Sequence, residues 1–230
     1  MQGAAGYRGR MKPWETLAIA RTPDGSSLTL RRHDRDYVIH ADGYDLMTSR
    51  MHASEDAMMA LACPHPRSGA CILVGGLGMG YTLGAVLALL PEDGAVVVGE
   101  LIPEVVEWNR GPLGPLAGNP LDDPRVQVVV GDVSRLIRQS TAQFDAILLD
   151  VDNGPGAPTQ RGNTRLYTRA GLTAAHQALR PGGALAVWAV DDERGFERDL
   201  RAAGFTPSTH FVTAHGTKGK RHVIFVGRKR

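Results

Sequence analysis

From about residue 70 onward, short unbroken apolar runs alternate with stretches of helical pattern. The runs are 71–74, 95–99, 126–130, 145–149 and 184–190; the helical stretches lie near 80–90, 103–109, 133–139 and 164–179. A strand with one wet face alternates apolar and polar residues, whereas an unbroken apolar strand must be covered on both faces. Strands that alternate with helices are joined by crossovers, and crossovers make a parallel sheet. The end of the chain breaks this rhythm. A helix near 192–203 precedes STHFVTAH (208–215) and RHVIFVGR (221–228), joined through Gly216, Lys218 and Gly219 as a hairpin. The last two strands are therefore expected to be antiparallel.

The expected fold class is α/β: a Rossmann-like, mostly parallel seven-stranded sheet with a C-terminal antiparallel hairpin. That is the layout of class I S-adenosylmethionine (SAM) transferases. The first 50 residues read differently. Residues 1–12 are expected to be a disordered tail, and 13–50 a small N-terminal β domain with strands near 14–21, 27–32 and 37–40. Pro23-Asp24-Gly25 supplies hairpin chemistry, and ADGYDL (41–46) reads as a further turn. SEDAMMALAC (54–63) reads as a helix capped by Ser54 and ended by Pro64 and Pro66. Residues 51–230 form the expected catalytic domain.

Composition narrows the function classes. A formal charge of +2 gives no broad field for nucleic acid, and the basic tail 216–230 reads as a solvated hairpin and terminus. Cys63 and Cys71 are too few for a disulfide framework and suit a reducing cytoplasm. Neither belongs to a cluster with ligand spacing, so no metal is expected. No run nears the roughly twenty apolar residues of a membrane helix, and Trp14, Glu15 and Thr16 stand where a signal peptide would have its apolar core. The expectation is a cytoplasmic protein without a membrane partner.

Candidate site residues form an ordered series. Strand 71–74 delivers the chain to Gly75-Gly76-Leu77-Gly78-Met79-Gly80, where a helix begins. Glycines let a backbone turn sharply and let a ligand approach without a Cβ in the way. Glu100 ends the next strand, placed to accept both hydroxyls of a ribose. Asp132 follows the third strand, placed to accept the adenine amino group with the Val133 amide facing the ring; it is also a helix N-cap candidate. Asp150 ends the fourth strand, with Asp152 and Asn153 just beyond, where ligands of open α/β sheets react. Asp145, at the opposite end of that strand, reads as structural. Together Gly75, Gly76, Gly78, Gly80, Glu100, Asp132 and Val133 describe a cradle for an adenosyl sulfonium.

The series resembles the spermidine synthase-like family of polyamine aminopropyltransferases, over residues 27 to about 190. DGYDLMTSR (42–50) looks like the family's DG-x-x-QLTER, GGLGMGYTL sits where it carries GGGDGGTL, and GELIPEVVEWNR (99–110) is similar to VEID-x-x-VVE. DDPRVQVVVGDV (122–133), LLDVDNGPG (148–156) and RLYTRAGLTAAHQALRPGG (165–183) complete the match. The resemblance implies a SAM-transferase fold, homodimers, and SAM or decarboxylated SAM as cosubstrate. The departures cluster in the acceptor half. The loop aspartate that holds the aminopropyl amine is replaced by Leu77, Gly78 and Met79. Leu46 stands at a nucleoside-binding glutamine, Asn153 at a second aspartate and Leu172 at a tyrosine. Ala57 stands at the acceptor-binding glutamate, with Glu55 two residues away.

Burying an unpaired amine charge is expensive, so the sequence suggests an acceptor half that is more apolar, or differently charged, than a polyamine needs. The expected function is transfer of an alkyl (aminopropyl) group to a small-molecule acceptor, with Asp150 orienting or deprotonating the amine. Asp152, Asn153, Glu55 and His52 are the candidate acceptor residues. Two alternatives stand beside this: a SAM-dependent small-molecule methyltransferase, and a non-catalytic protein that binds adenosyl nucleosides.

Overall fold

The structure is a computed structural model, and it describes residues 12–41, 43–151, 155, 163–193, 195–215 and 218–230. By internal contacts the chain divides into two compact units, Met1–Arg50 and Met51–Arg230.

The first unit holds a four-stranded antiparallel meander: β1 (Glu15–Arg21), β2 (Ser27–His33), β3 (Asp36–Ala41) and β4 (Tyr44–Thr48), in that order. The turn after β1 closes through Gly25 N–H to Thr22 O at 2.9 Å, with Gly25 at φ 92°. The stretch expected as a turn at ADGYDL is mostly strand. Its chain pairs Tyr44 with Ala41 and Met47 with Ile39, so the reversal is confined to the residues just before Tyr44.

The second unit is the expected α/β fold. In chain order it runs α1 (Ala53–Ala62), β5 (Cys71–Gly75), α2 (Tyr81–Leu89), β6 (Ala95–Glu100), α3 (Pro103–Arg110), β7 (Val126–Val130), α4 (Val133–Gln139), β8 (Phe144–Leu149), α5 (Thr164–Tyr167), α6 (Arg169–Ala178), β9 (Leu179–Ala189), α7 (Phe196–Ala202), β10 (Phe205–His215) and β11 (Lys218–Lys229). The sheet order is β10-β11-β9-β8-β5-β6-β7. β5 through β9 pair in parallel, and β11 runs antiparallel to both β9 and β10. Ile72, Leu73 and Val74 of β5 and Ala146, Ile147 and Leu148 of β8 are wholly inaccessible, as their unbroken apolar runs demand.

Three local differences have clear causes. Ser54 does not cap α1: His52 holds the N-cap position, and Ser54 lies inside the first turn because tertiary partners take its hydroxyl. The helix expected over 164–179 breaks at Thr168, whose hydroxyl accepts from Gly171 N–H at 3.2 Å and starts α6 afresh. β9 begins at Leu179 rather than 184, since Leu179 already pairs with Phe144 before a bulge carries the chain past Pro181-Gly182-Gly183. At the far end of β8, Asp145 accepts from Arg67 at 2.7 Å, Arg180 at 2.5 Å and the Cys71 amide at 2.8 Å. No helix among the described residues is long and apolar enough to cross a membrane.

Candidate active site

The order of strand winding reverses between the parallel strands β5 and β8: the connection after β5 leads to β6 on one side, while β8 lies on the other. Such a switch point opens a crevice beyond the carboxyl ends of the strands. Gly75 ends β5 there, and its carbonyl accepts from the Asp150 amide at 2.9 Å. The glycines differ in what they make room for. Gly76 sits at φ 86°, and a Cβ on it would lie 2.3 Å from the Asp150 carbonyl oxygen. Gly75 is bare for internal reasons, since its Cβ would meet Leu149 and Val133 side chains. Gly78 and Gly80 have φ 52° and 86°. Asn109, on α3, donates from Nδ2 to the Gly78 carbonyl at 2.8 Å and so ties the loop down. Leu77 and Met79 turn into the core, at 4% and 1% exposure, so no acid faces outward from the loop.

Glu100 reaches under this loop. Its Oε2 accepts from Leu77 N–H and its Oε1 from Ile102 N–H, both at 2.8 Å. Burial pushes its carboxyl above the ordinary range, and these amides pull it back. The Leu101 and Gly78 amides act on the same carboxylate. Asp132 caps α4: Oδ1 accepts from Ser134 N–H and Oδ2 from Ser134 Oγ, both at 2.7 Å. Its residue surface stays exposed. The Val133 side chain is buried beneath Gly75 and Gly99, leaving its main chain as the part that can face a ligand.

The other half of the crevice is built from the start of α1, the start of α2 and the end of β8. Thr82 Oγ1 donates to Asp150 Oδ2 at 2.9 Å. Glu55 is 6% exposed and Ala57 only half-buried, so the helix turns Glu55 inward. Burial first, and the Asp150 charge second, push the Glu55 carboxyl up to about 7. Burial likewise pushes Asp150 up to about 6, against the Thr82 hydrogen bond. Among the described residues no lysine or arginine sets either value. Two acids that cannot both ionise cheaply in one enclosed place share a proton or take a cation. This end of the crevice is thus more acidic than the aligned Ala57 implies, because folding turns the neighbouring candidate Glu55 inward.

His52 stacks on Tyr81, with ring centroids 4.0 Å apart and planes 9° from parallel. Its Nδ1 lies 2.7 Å from Asp56 Oδ2. Burial, then Asp56 and Glu55, push the Tyr81 hydroxyl up to about 12. Asp152 and Asn153 lie outside the described residues. Sequence reasoning missed Ser54 as a site residue, together with Thr82, Trp188 and His222. Trp188 Nε1 donates to Ser54 Oγ at 3.0 Å, and His222 Nδ1 lies 2.9 Å from the same oxygen. No local signal marks this contact, because Ser54 and His222 are 168 residues apart. Among the described residues no cluster of histidine, cysteine or acids has the form of a metal site.

Fold and crevice together define a SAM-transferase-type architecture, with a glycine loop, an acid after the second parallel strand and a buried acid pair at the switch point. Residues 52–193 match the family model described as the spermine/spermidine synthase domain, more than half the chain. The chain belongs to that family. It is 29% identical over 217 residues to polyamine aminopropyltransferase 2 of Pseudomonas aeruginosa, covering 91% of this chain and 56% of that relative. It therefore spans little more than half of that relative's length. It is 33% identical over 121 residues to putrescine N-methyltransferase 2 of Nicotiana attenuata, covering 52% of this chain and 30% of that one. A spermidine synthase solved in complex with the transition state analogue AdoDATO superposes with a TM-score of 0.74 at 20% identity, over 94% of this chain and 74% of the other.

Proposed function

We propose that this protein transfers an aminopropyl group from decarboxylated SAM to a small amine acceptor. The observation that carries the reading is the pair Glu55–Asp150, with both carboxyls raised and, among the described residues, no lysine or arginine acting on either; of the basic groups only His52 lowers Glu55, in part. Such a pair is relieved by a cationic ligand, and both an alkylamine and an adenosyl sulfonium are cations. Family membership and the aminopropyltransferase relative support the same reaction. The residues present fit the cosubstrate: Gly76 and Gly78 give bare, turned backbone, and the Glu100 carboxylate, which we assign to the ribose hydroxyls, is held at the loop by backbone amides. Gly75 and Gly80 shape the loop, and Asp132 with the Val133 amide addresses the adenine. The cosubstrate supplies an electrophilic carbon beside a sulfonium. Asp150 orients the acceptor amine and draws on its proton, Glu55 holds its charge, and the His52–Tyr81 stack flanks the acceptor side. Asp152 and Asn153 are assigned to the acceptor as well. Positioning two reactants in line supplies much of the rate in such a transfer.

Incubation with decarboxylated SAM and a diamine should release methylthioadenosine and the aminopropylated amine, read by chromatography. Calorimetric preference for SAM over its decarboxylated form would overturn the assignment. One observation favours methyl transfer as a second reading: Leu77 and Met79 are buried and Gly78 has no side chain, so the loop offers no acid to an aminopropyl amine. The putrescine N-methyltransferase relative points the same way. We further read the protein as a cytoplasmic homodimer. The two free cysteines, Cys63 and Cys71, suit a reducing compartment, and light scattering of the purified chain tests the dimer.

A further inference from the structure

Ser54 is fully buried, and its hydroxyl meets three side chains from separate parts of the chain. Glu55 Oε2 lies 2.5 Å away, His222 Nδ1 2.9 Å, and Trp188 Nε1 donates from 3.0 Å. A hydroxyl has one proton and two lone pairs, and an indole N–H only donates. Trp188 therefore occupies one lone pair permanently. One proton and one lone pair remain for Glu55 and His222 to divide. When the hydroxyl donates to an ionised Glu55, the imidazole must present Nδ1–H. When it donates to a bare Nδ1, Glu55 must carry the proton. The state of the acid and the state of the ring are tied through a single hydrogen.

The proposed transfer releases one proton per turnover. An acceptor ammonium gives up a proton, and its freed lone pair forms the new N–C bond. The C–S bond breaks with its electrons going to sulfur, the sulfonium becomes a neutral thioether, and the product nitrogen keeps a positive charge. Glu55 is buried, while His222 is only partly so. We propose that the Glu55 carboxyl, the Ser54 hydroxyl and the His222 imidazole form a relay that carries this proton out to solvent. Asp150 takes the proton from the acceptor ammonium and hands it to the ionised Glu55, which it faces; Glu55 passes it to Ser54 Oγ as the Ser54 proton moves to Nδ1, and the imidazolium releases one to water. Trp188 fixes the hydroxyl and braces the His222 ring edge to face, with centroids 4.8 Å apart. The inference rests on the amine-alkylation reading but is the same for aminopropyl and methyl transfer.

The groups facing Glu55 are Asp150 from β8, Tyr81 from α2, and His52 and Asp56 along α1. Around His222, the contacts described include Trp188 from β9 and, in register on β10, the uncharged Val212, while the neighbouring Arg221 lies over Phe211. Among the described residues His52 is the basic group that lowers Glu55, and burial and Asp150 outweigh it; the raised value of about 7 lets the proton come and go near neutrality.

His222→Ala is expected to lower kcat about tenfold to hundredfold, with acceptor KM within about twofold, and free imidazole should restore much of the rate. An unchanged kcat, or a loss that imidazole does not restore, overturns the relay. His222→Asn keeps a hydrogen-bonding group facing Ser54 without a titrating one, and serves if the alanine variant folds poorly. It should be slow at kcat, and a wild-type rate from it overturns the proposal equally. A readout without substrates separates this from failure of the proposed function. The ¹⁵N shifts of His222 in the protein alone should step with the ionisation of Glu55 near pH 7 and lose that step in Glu55→Gln. A wild-type ring that shows no such step defeats the relay, whereas a wild-type protein with no turnover defeats only the transfer reading.

Discussion

The two halves of the crevice hold their carboxylates in opposite ways. Glu100, on the proposed nucleoside side, has one oxygen met by the Leu77 amide of the loop it supports and the other by the Ile102 amide just past β6, and Asp132 spends its carboxylate on the first turn of α4. Glu55 and Asp150, on the proposed acceptor side, accept from the hydroxyls of Ser54 and Thr82 among the described residues; burial raises both carboxyls, and the Asp150 charge raises Glu55 further. Amides pre-pay the desolvation of an anion; a second anion adds to it. The first half is thus shaped before any ligand arrives, while the second is left with a charge deficit that a cation fills. A site for a positively charged acceptor needs that asymmetry.

The comparison is broken most directly at Asp150. Asp150→Asn removes the proton-accepting group but keeps the shape, and kcat is expected to fall by about 10²–10⁴. Binding of methylthioadenosine, read by calorimetry, should change little, because that nucleoside lies in the other half. Equal losses in both measurements would erase the distinction between halves.

Gly76 tests the hinge between them. Alanine there would combine a φ of 86° with a Cβ placed 2.3 Å from the Asp150 carbonyl. The loop must shift, and a stability loss above about 3 kcal/mol is expected from denaturant unfolding. Gly118 is the control: its φ is 76°, but no atom lies within 4 Å of its added Cβ. Gly118→Ala should cost only about 1–2 kcal/mol of backbone strain.

The elements of the half proposed to hold the nucleoside were legible in the sequence because their logic is local. A glycine loop, an acid at a strand end and Gly-Asp before a helix each occur within a few residues, and strand order then brings them to one edge. The parallel sheet was legible for the same reason, from unbroken apolar runs such as 71–74. The half proposed for the acceptor was legible only in part. Ala57 aligns with the expected glutamate, Glu55 stood beside it as a candidate, and the rotation of α1 turns Glu55 inward, where the Asp150 charge acts on it. Ser54 looks like a helix cap in one dimension, and its real partners, Trp188 and His222, come from 134 and 168 residues away. Contacts that skip over half the chain leave no spacing to read.

The acid pair also predicts a pH dependence. Both carboxyls are raised from ordinary values of 4.5 and 3.8, to about 7 and about 6. Folded protein therefore keeps protons that the unfolded chain has already released, and stability must fall as pH climbs through this window. The slope reaches about 1 kcal/mol per pH unit for each group. Melting temperature should accordingly drop between pH 5 and pH 8 in the absence of ligand, and Glu55→Gln should flatten the decline. A melting temperature that rises with pH over that range would show that the pair is not strained.

Asp132 offers the smallest effect and the sharpest division of roles. As an N-cap it accepts from the Ser134 amide through Oδ1, and asparagine caps about as well as aspartate. Asp132→Asn should therefore leave stability nearly unchanged, while Asp132→Ala loses about 1 kcal/mol. The assigned adenine contact needs an acceptor at Oδ2, where asparagine would offer an NH₂ donor to another donor. Adenosyl affinity, measured by calorimetry, should then weaken about equally in both variants. If asparagine instead preserves affinity as well as stability, the carboxylate acts on α4 alone, and Glu100 becomes the single acid that anchors the nucleoside.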